Sequence, residues 1–144
     1  MNTDRATMER VLKEQCIPVL RTHGFKGSFP DLYRDVGGFI SLINFQFFSS
    51  GGSFCINISF ADKQRKNIYF RKESEQKHLK VSQATIRARL GAPNLVGDHW
   101  FSFGKTSYGE FRGEPHNPPD IANEINRLIS EEALPWWEQH AAES

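Results

Sequence analysis

The sequence predicts an α+β domain: an antiparallel β-sheet of about five strands, with N- and C-terminal helices packed on one face. Three observations carry that expectation. Residues 39–60 alternate apolar and polar side chains on both sides of a Ser-Ser-Gly-Gly break, the pattern of a half-buried hairpin. Apolar residues recur at helical spacing near both ends of the chain. No repeat or linker divides the 144 residues, a length typical of one domain, so residues 1–144 are read as a single unit.

The first element is predicted helical. Met8, Val11, Leu12, Gln15, Val19 and Leu20 approximate one buried stripe, Thr3 or Asp4 can cap its start, and Gly24 can close its end. Pro18 lies inside this pattern and lacks the backbone N–H, so a kink or break is expected there. Residues 29–36 then read as an edge-like strand opened by Pro30. Gly37 and Gly38 suit a two-residue turn into the longest β-like stretch, residues 39–48.

Hairpin register follows from the loop. With residues 49–52 as the turn, Phe47 opposes Phe54, Phe45 opposes Ile56 and Ile43 opposes Ile58, uniting one apolar face. The other face then receives Asn44 opposite Asn57 and Gln46 opposite Cys55. A slip of one residue would set Phe45 against Asn57 and mix both faces, so the unslipped register is predicted.

Beyond residue 62, a charged loop, a short strand at residues 68–70 and a polar stretch at 71–80 are expected. Residues 84–90 alternate strictly, with Ile86, Ala88 and Leu90 on one side and Thr85, Arg87 and Arg89 on the other. A strand is predicted, with a short helix between Ser82 and Gly91 as the alternative. Residues 100–103 form a further expected strand and 108–119 a loop. The closing helix starts with Asn117 as cap and Pro118 and Pro119 in its first turn, and buries Ile121, Ile125, Leu128 and Ile129. Pro135 is expected to separate it from a short terminal turn carrying Trp136 and Trp137. Trp100 and Trp136 are read as core, and Trp137 takes no assignment.

Composition limits function more than it suggests one. Hydrophobic residues make up 38% and charged residues 24%, enough apolar material for a core without staples. Net charge is +1, so no global field draws the molecule to nucleic acid or an anionic membrane. Cys16 and Cys55 form no disulfide framework and no zinc pattern, and the five histidines show no metal-ligand spacing. No cofactor is expected. The N-terminus has no secretory h-region and no run is long enough to span a bilayer, so a cytoplasmic location with reduced thiols is expected, with no membrane contact.

The polar hairpin face is the first candidate site. Asparagine and glutamine are unfavourable inside strands, yet Asn44, Gln46 and Asn57 cluster there, with Ser59 as a neighbour. Arg34, Arg87 and Arg89 join them as candidate binding residues, and Trp100 as a residue type enriched at binding hot spots. The ordinary alternative is a solvated sheet face, or amides bonding a loop that crosses it. Asp98 with His99, and Glu114 with His116, are the acid–base candidates. No nucleophile–base motif accompanies them, so no catalytic residue is assigned. Lys63, Arg65, Lys66, Arg71, Lys72, Lys77 and Lys80 face only three carboxylates in their stretch, with Tyr69 and Phe70 interleaved. That basic run is a third, lesser candidate, for nucleic acid.

Residues 20–25 (Leu-Arg-Thr-His-Gly-Phe), Tyr33-Arg34, Ile43-Asn-Phe-Gln46 and Phe54-Cys-Ile-Asn57, together with Arg89-Leu-Gly91 and Asp98-His-Trp-Phe101, resemble a bacterial domain-of-unknown-function family, number 4304. The resemblance covers roughly residues 8–140, and Phe101 stands where a second Trp is often seen. It implies no activity, because the family has no assigned function. The chain also resembles some small proteins found near bacterial toxin genes, which implies an immunity-like role. The expectation is therefore a non-enzymatic binding module, protein-binding first, with a small-ligand binder or enzyme on the polar face as the alternative. Neither ligand nor oligomeric state follows from the sequence.

Overall fold

Asp4 opens helix α1 (Arg5–Gln15) by accepting the Thr7 backbone N–H at 2.8 Å, and the helix buries Met8, Val11 and Leu12. Pro18 produces the expected break. It cannot donate to the preceding turn, so α1 stops at Cys16 and α2 (Ile17–Thr22) restarts with the proline in its first turn. The computed structural model describes residues 3–62, 81, 84 and 86–143. The loop, strand and polar stretch expected over residues 63–80 lie outside them.

Six strands form one antiparallel sheet among the described residues: β1 (Lys26–Ser28), β2 (Asp31–Val36), β3 (Phe39–Phe47), β4 (Ser53–Asp62), β5 (Ile86–Arg89) and β6 (Phe101–Ser102). The first five are neighbours in chain order, and β6 pairs with β4. The predicted register holds: Phe47 opposes Phe54, Phe45 opposes Ile56, Ile43 opposes Ile58, Asn44 opposes Asn57 and Gln46 opposes Cys55. Gly37 and Gly38 both take positive φ, 56° and 103°, as a primed two-residue turn requires. Strict alternation decides for strand over helix at residues 86–89.

The last two strands, β5 and β6, share one edge of β4. Residues 57–60 of β4 pair with β5, while Ser53 and Phe54 of the same strand pair with β6. The chain between, residues 90–100, must leave that edge and return to it.

One sheet face carries the main core. Phe47, Phe54 and Phe101 stack in sequence, with centroids 4.9 and 5.3 Å apart, and α1, α2 and the C-terminal helices close over this face. Helix α3 (Pro118–Leu128) starts as predicted, with Asn117 accepting the Asp120 N–H at 3.0 Å. The expected terminal turn is instead a continuous helix. A π turn (Ile129–Ala133) carries α3 into α4 (Leu134–Glu143), with the Leu134 N–H bonding back to the Ile129 carbonyl. The wider turn takes the chain through Pro135, which has no N–H to offer an α-helical ladder.

That extra residue settles which indole is fully buried: Trp137, which took no assignment, while Trp136, expected in the core, packs only partly buried against it. The buried positions step by four from Ile129 to Ala133 to Trp137. Trp137 is therefore the fully buried indole, donating from Nε1 to the Ser59 carbonyl at 2.9 Å, while Trp136 is half-buried beside His140.

Candidate functional site

The second sheet face is divided. Ile40, Leu42 and Ala61 pack with Val81 and Ala84, flanked by Tyr33, in a small separate core. Beside it the face turns polar along one line of register. Asp31 opposes Asn44 on β3, Asn44 opposes Asn57 on β4, and Asn57 opposes Arg89 on β5. Four strands thus each contribute one polar side chain to a straight row.

The row is bonded along its length. Asn44 Nδ2 donates to Asp31 Oδ1 at 2.8 Å, and Asn57 Nδ2 to Asn44 Oδ1 at 3.3 Å. Asn57 Nδ2 also reaches Gln46 Oε1 at 2.9 Å, and Arg89 Nε donates to Asn57 Oδ1 at 2.9 Å. Asp98 Oδ1, 3.1 Å from Arg89 Nη1, holds the far side of the guanidinium. Asp98 is 78% exposed, so this pair positions Arg89 more than it stabilises the fold.

Above the row lies a cleft of about 760 Å³ lined by Asp31, Asn44, Gln46, Asn57, Arg87 and Arg89, with Leu95, Val96 and Gly97 as its lip. The lip belongs to the segment that leaves and rejoins the edge of β4. Within it Asn94 and Leu95 have φ of 53° and 62°, a conformation that a leucine adopts only under constraint from its surroundings. Towards the other end of the face, Arg112 Cζ lies 4.0 Å from the Phe48 ring centroid and 4.3 Å from that of Trp100. Arg89 Cζ is 5.8 Å from the same indole, so two cations flank one aromatic ring.

A family model described as "Domain of unknown function (DUF4304)" matches residues 16–139. The chain belongs to the DUF4304 family. No significant match is found among curated proteins or among solved structures.

Of the residues picked from the sequence of this DUF4304 chain, Asn44, Gln46, Asn57, Arg87 and Arg89 come together at the cleft. Trp100 leaves the core expected for it and stands half-buried against Phe48, Arg89 and Arg112. Arg34 lies on the opposite face of β2, donating to Ser41 Oγ and the His23 carbonyl at 3.3 Å each, over the rings of Phe25 and Trp137. Burial there lowers its pKa, and nearby Glu138 partly offsets the shift. Ser59 is fully buried, with no hydrogen-bond partner for its hydroxyl among the described residues. The basic run from Lys63 to Lys80 lies outside the described residues.

The acid–base candidates separate. Asp98 turns to Arg89, whereas His99 packs edge-on to Phe101 at 4.8 Å on the side of Glu132 and Glu124. Burial lowers the pKa of His99. Glu114 and His116 stay in an exposed loop, where the His116 N–H bonds the Ser102 carbonyl. Burial raises the pKa of both thiols, that of Cys16 to about 12, so neither supplies a thiolate near neutral pH. Among the described residues no cluster of three or more His, Cys, Asp or Glu could hold a metal, and no helix is long and apolar enough to cross a membrane.

Asp31, Phe48, Arg112 and the 95–97 lip were not among the sequence candidates. A signal existed for Asp31. The two-residue turn pairing Val36 with Phe39 places Asp31 opposite Asn44 by counting back. The same count puts Arg34 opposite Ser41, on the helix side.

Proposed function

We propose that this protein is a non-enzymatic binding module whose ligand sits in the cleft over Asn44, Gln46 and Asn57. The observation that supports it is the bonded row: its amides are fixed by one another and by Arg89 before any ligand arrives. Such prior ordering reduces the entropy lost on binding. The volume of about 760 Å³ lies within the range of small-molecule sites. Backbone strain at Leu95, on the cleft wall, is of the kind that collects at ligand clamps. A non-enzymatic reading accords with the protonated thiols and with His99 turned to the helix side. The two free, buried cysteines suit a cytoplasmic setting.

A protein partner, immunity-like or regulatory, is the second reading. What favours it is Val96, 74% exposed on the lip. Val36, Tyr108 and Phe111, the other exposed large apolar side chains among the described residues, lie on separate segments and offer no continuous patch in sequence there.

Thermal-shift screening of a metabolite library against wild type and Gln46→Ala tests the first reading. Gln46 is exposed, so its truncation leaves the core intact. A ligand at a hundred times its Kd stabilises by about 2.7 kcal/mol, and that gain should shrink in Gln46→Ala and vanish in Asn57→Ala. A ligand whose stabilisation survives both changes binds elsewhere, and the cleft reading fails. Capture of a specific protein that Val96→Asp abolishes, with no small-molecule hit, would favour the second reading.

A further inference from the structure

Hydrogen-bonding capacity in the cleft is unevenly used. Each amide oxygen on the floor already accepts: Asn44 Oδ1 and Gln46 Oε1 from Asn57, and Asn57 Oδ1 from Arg89. Asn57 Nδ2 directs its two hydrogens at those two neighbours. Among the described residues, the amide and guanidinium groups of the floor that have no partner are donors. They are Gln46 Nε2, Arg89 Nη2 and the whole guanidinium of Arg87. Asn44 Nδ2 adds a hydrogen beyond the one it gives Asp31. The amide oxygens of Asn44 and Asn57 keep a second lone pair, but only donors are wholly unused, so a ligand that satisfies them brings acceptor oxygens.

Charge narrows the class further. Arg87 and Arg89 are two residues apart on β5, so both point to the cleft face, about 6–7 Å apart along the strand. Asp98 offsets one of these cations. Asp31, the other charged side chain of the lining, stands at the opposite end of the row, three strands away, so a single positive charge is left at this end, carried by exposed Arg87. One surplus charge matches a carboxylate, whereas a phosphate dianion would bring a second negative charge with no partner.

Resting on the reading of the cleft as the binding site, we infer that its ligand is a small organic carboxylate. The carboxylate lies between Arg87 and Arg89, and a neutral acceptor oxygen of the same molecule lies over Gln46 and Asn44. Guanidinium–carboxylate hydrogen bonds are among the strongest a protein makes, so the arginine pair supplies affinity and the amides supply selection.

The test is an NMR titration of the full chain with four probes: N-acetylglycinate, its neutral twin N-acetylglycinamide, inorganic phosphate and methylammonium. N-acetylglycinate should shift the Gln46 side-chain amide and the Arg89 Nε–H signals saturably, and bind about tenfold or more tighter than the amide twin. Arg87→Ala should remove about tenfold of that affinity, and Arg87→Lys should restore part. Equal binding by N-acetylglycinamide, tighter binding by phosphate, or an unchanged affinity in Arg87→Ala would each overturn the carboxylate assignment. If only neutral or cationic probes move the floor signals, the assignment fails while the cleft remains the site. If no probe moves them at any concentration, both fail. A tripeptide with a free C-terminus that outbinds N-acetylglycinate would overturn the small-molecule source.

Discussion

Replacing Trp137 with alanine should remove the main anchor of α4 on the sheet. The indole is 1% exposed, its ring centroid is 5.1 Å from that of Phe25, and its Nε1 donates to the Ser59 carbonyl. An aromatic ring of this kind buries roughly 150–250 Å², which at about 25 cal/mol per Å² corresponds to about 4–6 kcal/mol. Measured aromatic-to-alanine changes in cores cost about 3–5 kcal/mol, so about 4–5 kcal/mol is expected. For a chain of this length, 1 kcal/mol moves Tm by roughly 3 °C. Trp137→Ala should therefore melt about 12–15 °C below wild type. Trp137→Phe keeps most of the ring and loses the N–H bond, for about 1–2 kcal/mol. Half-buried Trp136→Ala should cost about 1–2 kcal/mol. Thermal unfolding followed by circular dichroism, with urea midpoints as a second measure, ranks the three. A Trp137→Ala loss no larger than that of Trp136→Ala would refute the phase shift assigned to the π turn.

Two further outcomes are expected. Gly91→Ala should destabilise by about 2–4 kcal/mol, because φ is +89° and a Cβ would stand 2.5 Å from His99 Cδ2. Gly38→Ala, at φ +103° but with nothing within 4 Å, should cost only the backbone strain of about 1–2 kcal/mol. Equal losses on denaturant titration would count against the His99 contact. Burial lowers the pKa of His99, with Glu132 and Glu124 pulling the other way. The folded chain therefore binds this proton less readily than the unfolded chain. Its contribution leaves stability unchanged above the unfolded value of about 6.5, then reduces it as pH falls through that value towards the folded pKa. His99→Asn should flatten the slope of stability against pH below about 6.5, and an unchanged slope would exclude His99 as its source.

Features set by local chain chemistry were legible in the sequence. The turn at Gly37 and Gly38 and the four-residue loop at 49–52 fix register by counting, so the pairing of Asn44 with Asn57 followed without coordinates. The face of Arg34 was legible in the same way, since the turn at Gly37 and Gly38 sets it opposite Ser41 on the helix side. The burial of Trp137 rather than Trp136 was hidden. An α-helical period continued from Ile121, Ile125 and Leu128 reaches Trp136, and only the π turn brings Trp137 to the sheet. The cleft lip was beyond reach because it depends on β5 and β6 sharing one edge of β4, a tertiary choice between distant segments. Leu95 at positive φ gives no sequence signal, since glycine or asparagine is the residue usually found there.

The divided face bears on why the amides are there at all. Two residues along the same face from the polar row, Tyr33, Leu42 and Ser59 occupy the corresponding places, followed by Ile40 and Ala61, and Val81 and Ala84 close over that part. On β3 and β4 the sheet therefore covers this face largely with apolar side chains up to one line of register, with Ser59 buried among them and Arg87 and Asp35 at the margins on β5 and β2. At that line it changes to Asp31, Asn44, Asn57 and Arg89, residues that strands disfavour and that hydrophobic replacements of similar shape can match in stability. A face merely left to solvent needs no mutual bonding of its amides, since water would satisfy each of them. Here each amide takes its partner from the next strand, which fixes its orientation and leaves unpaired donors facing the cleft. Orientation of that kind gains little for the fold and much for recognition, because a ligand then meets donors already in place.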